Sequence, residues 1–271
     1  MDLMKNRVVI KIGTSSLTNE EGKINLRCID KLTQVLSGLQ NLGYEIILVS
    51  SGAIAVGTNK MKLTERPKEL RIKQAAAAVG QCELMHIYDK FFSEYGKIVA
   101  QILLSEEDVD QEGKKHNLIN TFDSLLERDI IPIVNENDSV SYREIESGQK
   151  IFGDNDTLSA VVAVLCRAKK LILMSDIDGL YESDPRKNPD ARLISQVNDI
   201  DENIRKLAKG SGSNRGTGGM ITKLDAAQIA TSHGIDMVIT QGQNPENLYN
   251  IMDGEQIGTL FIGKKYGCSL A

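Results

Sequence analysis

A chain of 271 residues, 41% hydrophobic and 25% charged, can bury a substantial core as one large domain or two smaller ones. Its formal net charge of −5 argues against nucleic-acid or anionic-membrane partners, which ask for basic surface, and the lack of tryptophan with only 4% aromatics argues against base-stacking platforms. Asp2, Lys5 and Arg7 interrupt any secretory core at the N-terminus, and apolar runs such as 160–166 are too short to span a bilayer, so a cytoplasmic location is expected.

In chain order, residues 8–12, 45–50, 98–103, 130–134 and 171–174 form short β-branched runs. Each is nearly all apolar, the pattern of strands buried on both faces. Between them, 26–42, 68–95, 116–128 and 156–168 carry helical periodicity, and further units lie at 237–240, 245–252 and 259–262. This alternation predicts an α/β fold, a mainly parallel central sheet covered by helices on both sides. No Pro/Gly/Ser-rich linker divides the chain, so residues 1–271 are expected to form one domain with two lobes. The charged segment 58–67 and the Gly/Ser-rich segment 209–219 read as loops, either of the kind used as lids or binding loops or as plain solvated connections.

In an open parallel sheet, ligands bind beyond the carboxyl ends of the strands. Polar clusters follow four of the predicted strands, at 11–16, 50–52, 135–139 and 175–176, and would meet on one rim. Lys11 ends a buried strand, where an unpaired ammonium is costly, and Gly13 and three hydroxyl residues follow it. At the other end of the chain, 216–223 reads Gly-Thr-Gly-Gly-Met-Ile-Thr-Lys ahead of a helical pattern. Its glycines allow a tight backbone, the N–H groups of a helix start face anions, and Lys223 adds a full charge. Two distant lysines set among Gly and hydroxyl residues point to one phosphoryl group gripped from two sides.

Ser51-Gly52 marks a strand turning directly into a helix, which reads either as a simple cap or as a seat for a carboxylate or phosphate. A nucleophile-elbow serine is excluded, since G-x-S-x-G is missing and no histidine offers a partner base. The stretches 135–139 and 153–156 are dense in carboxylates and amides, as turns, caps or a polar site would be, but lack the EF-hand pattern. Asp156 precedes the apolar positions Leu158, Val161, Val162 and Leu165, so it reads as a helix cap that also orients Lys11 and Lys223. Residues 258–265 spell G-x-x-x-x-G-K-K, yet Lys265 stands where Ser or Thr should meet magnesium and no helix follows; a strand ending in a basic turn is expected. Cys28, Cys82, Cys166 and Cys268 form no C-x-x-C pair and read as buried structural thiols. His86, His116 and His233 lack metal-ligand spacing and read as surface or half-buried, so no metal ligands are assigned.

Together these motifs resemble the amino-acid kinase family, and within it the branch that phosphorylates the side-chain carboxylate of L-glutamate for proline biosynthesis. The resemblance runs from residue 8 to about 262 and rests on 9–15, 51–54, 135–138, 153–156 and 216–223, with Asp178-Gly179-Leu180-Tyr181 and Asp184-Pro185 shared more widely. It implies a three-layer αβα sandwich, with a glutamate-binding lobe to about residue 168 and a nucleotide-binding lobe over 169–271. It implies Lys11, Asp156 and Lys223 as catalytic residues, and Ser51, Asp138 and Asn155 as glutamate contacts beside Gly52. ATP would be held by Lys11, Gly13, Ser175, Asp176, Thr217, Gly218, Gly219, Met220, Ile221, Thr222 and Lys223, with Mg²⁺ as its companion ion. Feedback inhibition by L-proline, assembly into homodimers or tetramers and hand-over of product to a glutamyl-phosphate reductase are also implied. Two departures stand out. Ser175 replaces a frequent Thr while keeping the hydroxyl, and the sequence stops at Ala271 where many bacterial members add an RNA-binding-like (PUA) domain.

The chemistry suits the residues. A side-chain carboxylate with a pKa of about 4.3 is already ionised at neutral pH, so no general base is needed, in keeping with motifs free of histidine. The difficulty is an anion approaching a polyphosphate, and each close ion pair offsets about 4 kcal/mol at an effective dielectric of about 20. Two rival readings stay open at this point: another small-carboxylate or phosphate kinase of the same fold, and a catalytically idle amino-acid sensor.

Overall fold

In the computed structural model, which describes residues 6–19, 21–140, 154–209 and 219–264, strand β1 (Asn6–Ile12) runs through the middle of the sheet. Side chains alternate along it, so Val8, Ile10 and Ile12 enter one hydrophobic layer while Val9, and by the same parity Lys11, face the other. The chain continues through α1 (Thr14–Leu17), α2 (Leu26–Asn41), β2 (Tyr44–Val49), α3 (Ala53–Lys60), α4 (Leu70–Glu94) and β3 (Ile98–Leu104). Next come α5 (Glu106–Asp110), α6 (Glu112–Leu126), β4 (Ile130–Glu136), α7 (Asn155–Leu165) and β5 (Lys170–Ser175). The short strands β6 (Leu180–Tyr181), β7 (Leu193–Ile194) and β8 (Gln196–Val197) precede α8 (Glu202–Lys209), α9 (Met220–Ser232), β9 (Asp236–Gln241), α10 (Asn247–Met252) and β10 (Thr259–Phe261).

Eight strands form one sheet in the order β3-β4-β2-β1-β5-β9-β10-β8, parallel from β3 to β9, with β10 antiparallel to β9. Residues of α2, α4 and α10 (Ile29, Leu36, Tyr88, Phe92, Leu248) fill one layer, and residues of α6, α7 and α9 (Phe122, Leu158, Val162, Leu224, Ala227) fill the other. The αβα sandwich expected from the alternation is therefore present. From β1 the chain works outward through β2 to β3 and β4, then crosses back to β5 on β1's other side. In open α/β sheets such a reversal, here beyond the carboxyl ends of β1, β2, β4 and β5, is where a ligand binds.

Several details differ from the sequence expectation. Strand β3 is an edge strand, not one buried on both faces, and Ile98 is 64% exposed. An apolar run reports local preference and carries no information on how many neighbours a strand has. Helix α6 starts four residues earlier than its periodicity suggests, after α5, whose Asp108 carboxylate accepts from the N–H and hydroxyl of Ser105 at 2.8 and 2.7 Å. The segment read as a loop from residue 58 is helical as far as Lys60. Residues 258–264 form no phosphate loop: Thr259–Phe261 is strand and the Lys264 N–H donates to Thr231. Lys265 lies outside the described residues.

Helices α3 and α4 touch backbone to backbone. A Cβ on Gly57 would sit 1.7 Å from the Ala76 carbonyl oxygen, and one on Gly80 would sit 1.8 Å from that of Ala53. Gly80→Ala should therefore destabilise the protein by about 1–3 kcal/mol through overpacking. Gly113→Ala, whose new methyl meets nothing within 4 Å, should not. Urea denaturation midpoints of the two variants check the contrast.

Candidate active site

Three elements bring three ionised side chains together. Lys11 projects from the end of β1 towards α7, Asp156 stands in the first turn of α7, and Lys223 stands in the first turn of α9. Lys11 Nζ forms an ion pair with Asp156 Oδ1 at 2.6 Å, and Lys223 Nζ donates to Asp156 Oδ2 at 3.1 Å. The Thr222 hydroxyl lies 2.9 Å from the Gly219 carbonyl and 3.3 Å from Asp156 Oδ2. All three charges are buried, with residue exposures of 8% for Lys11, 1% for Asp156 and 5% for Lys223. Burial works against ionisation of Asp156, but the two ammonium groups outweigh it and hold its carboxyl down at about 2.

Asp156 is not the helix cap the sequence suggested. Asp154 is, its carboxylate accepting from the N–H groups of Asp156 and Thr157 at 3.1 Å each. That division of labour leaves the Asp156 carboxylate free to meet both lysines, at a helix end whose dipole also favours an anion. The triad holds two positive charges against one negative. Lys223 spends one of its three donors on Asp156 while Lys11 meets it as an ion pair, and a buried excess of positive charge calls for an anionic ligand. A Cβ on Gly13 would lie 3.7 Å from Lys11 Nζ, so that glycine leaves the space beside the ammonium open.

Beside the triad, a network of amides and hydroxyls ties the ends of β2 and β4 to α7. Asn155 Nδ2 donates to the Ser50 carbonyl at 2.8 Å, and to Ser51 Oγ and Asn135 Oδ1 at 3.0 Å each. Asn135 Nδ2 donates to Gln81 Oε1 at 2.9 Å, and the Tyr88 hydroxyl lies 3.0 Å from Ser50 Oγ. Gly52, at the N-cap of α3, has φ +92°, the left-handed region that glycine enters without strain. Asp138 sits half-buried in the turn after β4, which is held by Asn137 N–H to the Leu104 carbonyl at 2.8 Å.

Across β1 lies the other set. The Ser175 hydroxyl donates to Asp176 Oδ1 at 2.9 Å, and the Ser175 carbonyl accepts from Gly242 N–H at 2.7 Å. Gly219 is the N-cap of α9. Met220 is packed into the core while Ile221 is exposed, so of these two only Ile221 presents its side chain outward. Thr217, Gly218 and Gly153 lie outside the described residues. The three histidines are exposed, Cys28 and Cys166 are buried with burial pushing both thiols up, and Cys82 is exposed, contrary to the expectation of a buried thiol. Cys268 lies outside the described residues. Sequence reasoning missed Gln81 and Tyr88; the available signal was a polar group on the buried stripe of α4, seven residues from a buried tyrosine.

The Asp156→Asn variant should lose about 3–5 kcal/mol of stability at neutral pH, because two buried ammonium groups are left without a counter-charge. ATP or inorganic phosphate should raise its melting temperature more than the wild type's. The carboxyl is depressed from 3.8 to about 2, so its contribution is fully present above about pH 4 and is lost as pH falls towards 2. Thermal unfolding of both proteins across that range should show the steeper acid loss in the wild type.

Comparison with known proteins places this geometry in context. The profile of the amino acid kinase family matches residues 6–241. The chain is similar to a glutamate 5-kinase of Clostridium perfringens (strain 13 / Type A), at 56% identity over 259 residues that cover 96% of each chain. It is also similar to a glutamate 5-kinase of Listeria monocytogenes serovar 1/2a, at 54% identity over 259 residues covering 96% of this chain and 94% of the relative. Among solved structures, a UMP kinase from Bacillus anthracis superposes with a TM-score of 0.62 at 17% identity, covering 96% of this chain and 97% of that one. An isopentenyl phosphate kinase superposes with a TM-score of 0.64 at 18% identity, covering 94% and 99%. At such identities the two structural likenesses bear on the fold alone.

Proposed function

The chain belongs to the amino acid kinase family, and from that footing we propose that it transfers the γ-phosphoryl group of ATP to the side-chain carboxylate of L-glutamate. The products are L-glutamyl 5-phosphate and ADP, in the first step of proline biosynthesis. The observation that carries the phosphoryl-transfer half of this reading is the buried Lys11–Asp156–Lys223 triad with its surplus positive charge at the sheet reversal. The acceptor is supported by the two relatives above 50% identity that bear the name glutamate 5-kinase over nearly the whole chain.

In this scheme a carboxylate oxygen of glutamate forms a bond to the γ-phosphorus, and the β–γ bridging oxygen leaves with its electron pair on ADP. Lys11 and Lys223 reach the transferred group from opposite sides with the donors Asp156 does not use. Asp156 stays ionised throughout and acts as organiser of the two ammonium groups, not as a base. Ser51, Gly52, Asp138 and Asn155 hold glutamate in a lobe that ends near residue 168. Gly13, Ser175, Asp176, Thr217, Gly218, Gly219, Met220, Ile221 and Thr222 hold ATP in the lobe beyond, Met220 through its backbone. Mg²⁺ would enter with the nucleotide and would supply charge neutralisation to its phosphates.

The same reading extends to regulation and location. L-Proline inhibits at or near the glutamate pocket, the protein works as a homo-oligomer, and the labile acyl phosphate passes to a glutamyl-phosphate reductase. Among the described residues no helix is long and apolar enough to cross a membrane, and the proposed site of action is the cytoplasm.

Incubation with L-glutamate, MgATP and hydroxylamine should yield the trapped hydroxamate; none formed by folded protein overturns the reading. Lys11→Ala and Lys223→Ala should each lower turnover about 10²–10³-fold, as removal of one transition-state donor does. Near-normal turnover in both would reject their roles. Asp138→Ala should chiefly raise the KM for glutamate, through loss of a carboxylate facing the α-ammonium, and an unchanged KM removes it from the pocket.

A further inference from the structure

A primary amide has one accepting and one donating end, and which end faces a ligand decides whether it attracts or repels an ammonium. Two backbone groups settle that question here. The Glu136 N–H, which can only donate, lies 2.9 Å from Asn135 Oδ1. The Ser50 carbonyl, which can only accept, lies 2.8 Å from Asn155 Nδ2. The two amides then interlock, Asn155 Nδ2 donating to Asn135 Oδ1 at 3.0 Å. With its two N–H groups shared among three acceptors, Asn155 has only its Oδ1 to offer a substrate.

This arrangement turns Asn135 Nδ2 towards the protein interior, where it must find an acceptor. Gln81 supplies one from α4, its Oε1 lying 2.9 Å away, with both side chains buried. Gln81 stands between Ala77 and Leu84 on the buried stripe of α4, a position where an apolar side chain would otherwise pack. Were that acceptor removed, the Asn135 amide would have no satisfied orientation. As it stands, Nδ2 would be orphaned; rotated by half a turn, Nδ2 would face the Glu136 N–H and the Asn155 donors. In the second case Asn155 loses one of the acceptors that hold its Nδ2 inward and is left to the Ser50 carbonyl and Ser51 Oγ.

We infer that Gln81 is a positioning residue: through Asn135 it holds Asn155 with Oδ1 presented to the α-ammonium of the amino-acid substrate, and thereby favours acceptors with a free amino group. The inference rests on the glutamate reading above, in which Asn155 touches that substrate. Gln81 itself touches neither substrate nor phosphate.

The test compares kcat/KM for L-glutamate and for glutarate, which differs only in lacking the amino group, in the wild type and in four variants. Gln81→Leu should raise the KM for glutamate about 10–100-fold, the scale of a lost hydrogen bond to a charged group. Turnover and the KM for ATP should stay within about twofold, and the preference for glutamate over glutarate should fall by a factor similar to the KM rise. Gln81→Glu keeps an accepting oxygen and should retain most of the preference. Phe92→Leu trims a buried ring from the same helix outside the polar network and should leave the preference unchanged. A preference unmoved in Gln81→Leu, or lost equally in Phe92→Leu, overturns the inference. Should Gln81→Leu not fold, Gln81→Met decides by the same ratio. Wild-type protein that makes no hydroxamate from glutamate overturns the substrate reading and this inference with it, whereas an active wild type with an unmoved ratio overturns this inference alone.

Discussion

One carboxylate shared by two ammonium groups is the interaction around which the rest of the molecule is arranged. Without Asp156, Lys11 and Lys223 would repel each other in a buried site with no counter-charge between them. With a second carboxylate the cluster would be neutral and would offer a phosphate nothing. A single Asp between two Lys leaves one positive charge in surplus. The sheet, the cap at Asp154 and the start of α9 all serve to hold that stoichiometry out of water, where a Coulomb interaction is several times stronger than at the surface.

The surrounding polar groups follow a different logic. Around Asn155 the question is direction, not net charge, since amides can satisfy one another in more than one way. Backbone groups at Ser50 and Glu136 remove that freedom because neither can reverse its role. The site thus combines a charged half, set by counting ions, with a neutral half, set by the polarity of fixed peptide groups.

Much of this was legible in the sequence, and the reasons are physical. Short apolar runs alternating with helical periodicity leave few arrangements other than a covered parallel sheet, and polar residues just after four such runs had to fall on one rim. The grouping of Lys11, Asp156 and Lys223 was legible because a lysine at the end of a buried strand demands a partner. What escaped depended on neighbours distant in sequence. Strand β3 reads as a central strand, and only its place in the sheet exposes Ile98. Asp154 and Asp156 have the same side chain two residues apart, and which one caps α7 is settled by the extended backbone at Asp154, with φ −167°. Gln81 looks like a surface residue until α4 is seen to press it against β4. A short acidic helix such as α5 gives too little apolar pattern to announce itself.

The first turn of α7 joins the two halves of the site. Asn155 and Asp156 are consecutive, and successive residues on a helix point about 100° apart. Asn155 therefore turns towards the ends of β2 and β4 while Asp156 turns towards β1 and α9. One helix start thus fixes the spacing between the amide network and the lysine pair without any loop to absorb error. A phosphoryl transfer gains most from placing acceptor and donor within about 3–3.5 Å of each other in line, and a misplacement of about 1 Å costs much of that gain. Two adjacent side chains on a capped helix set such a distance more rigidly than two loops could, because the Asp154 cap fixes the backbone from which both project.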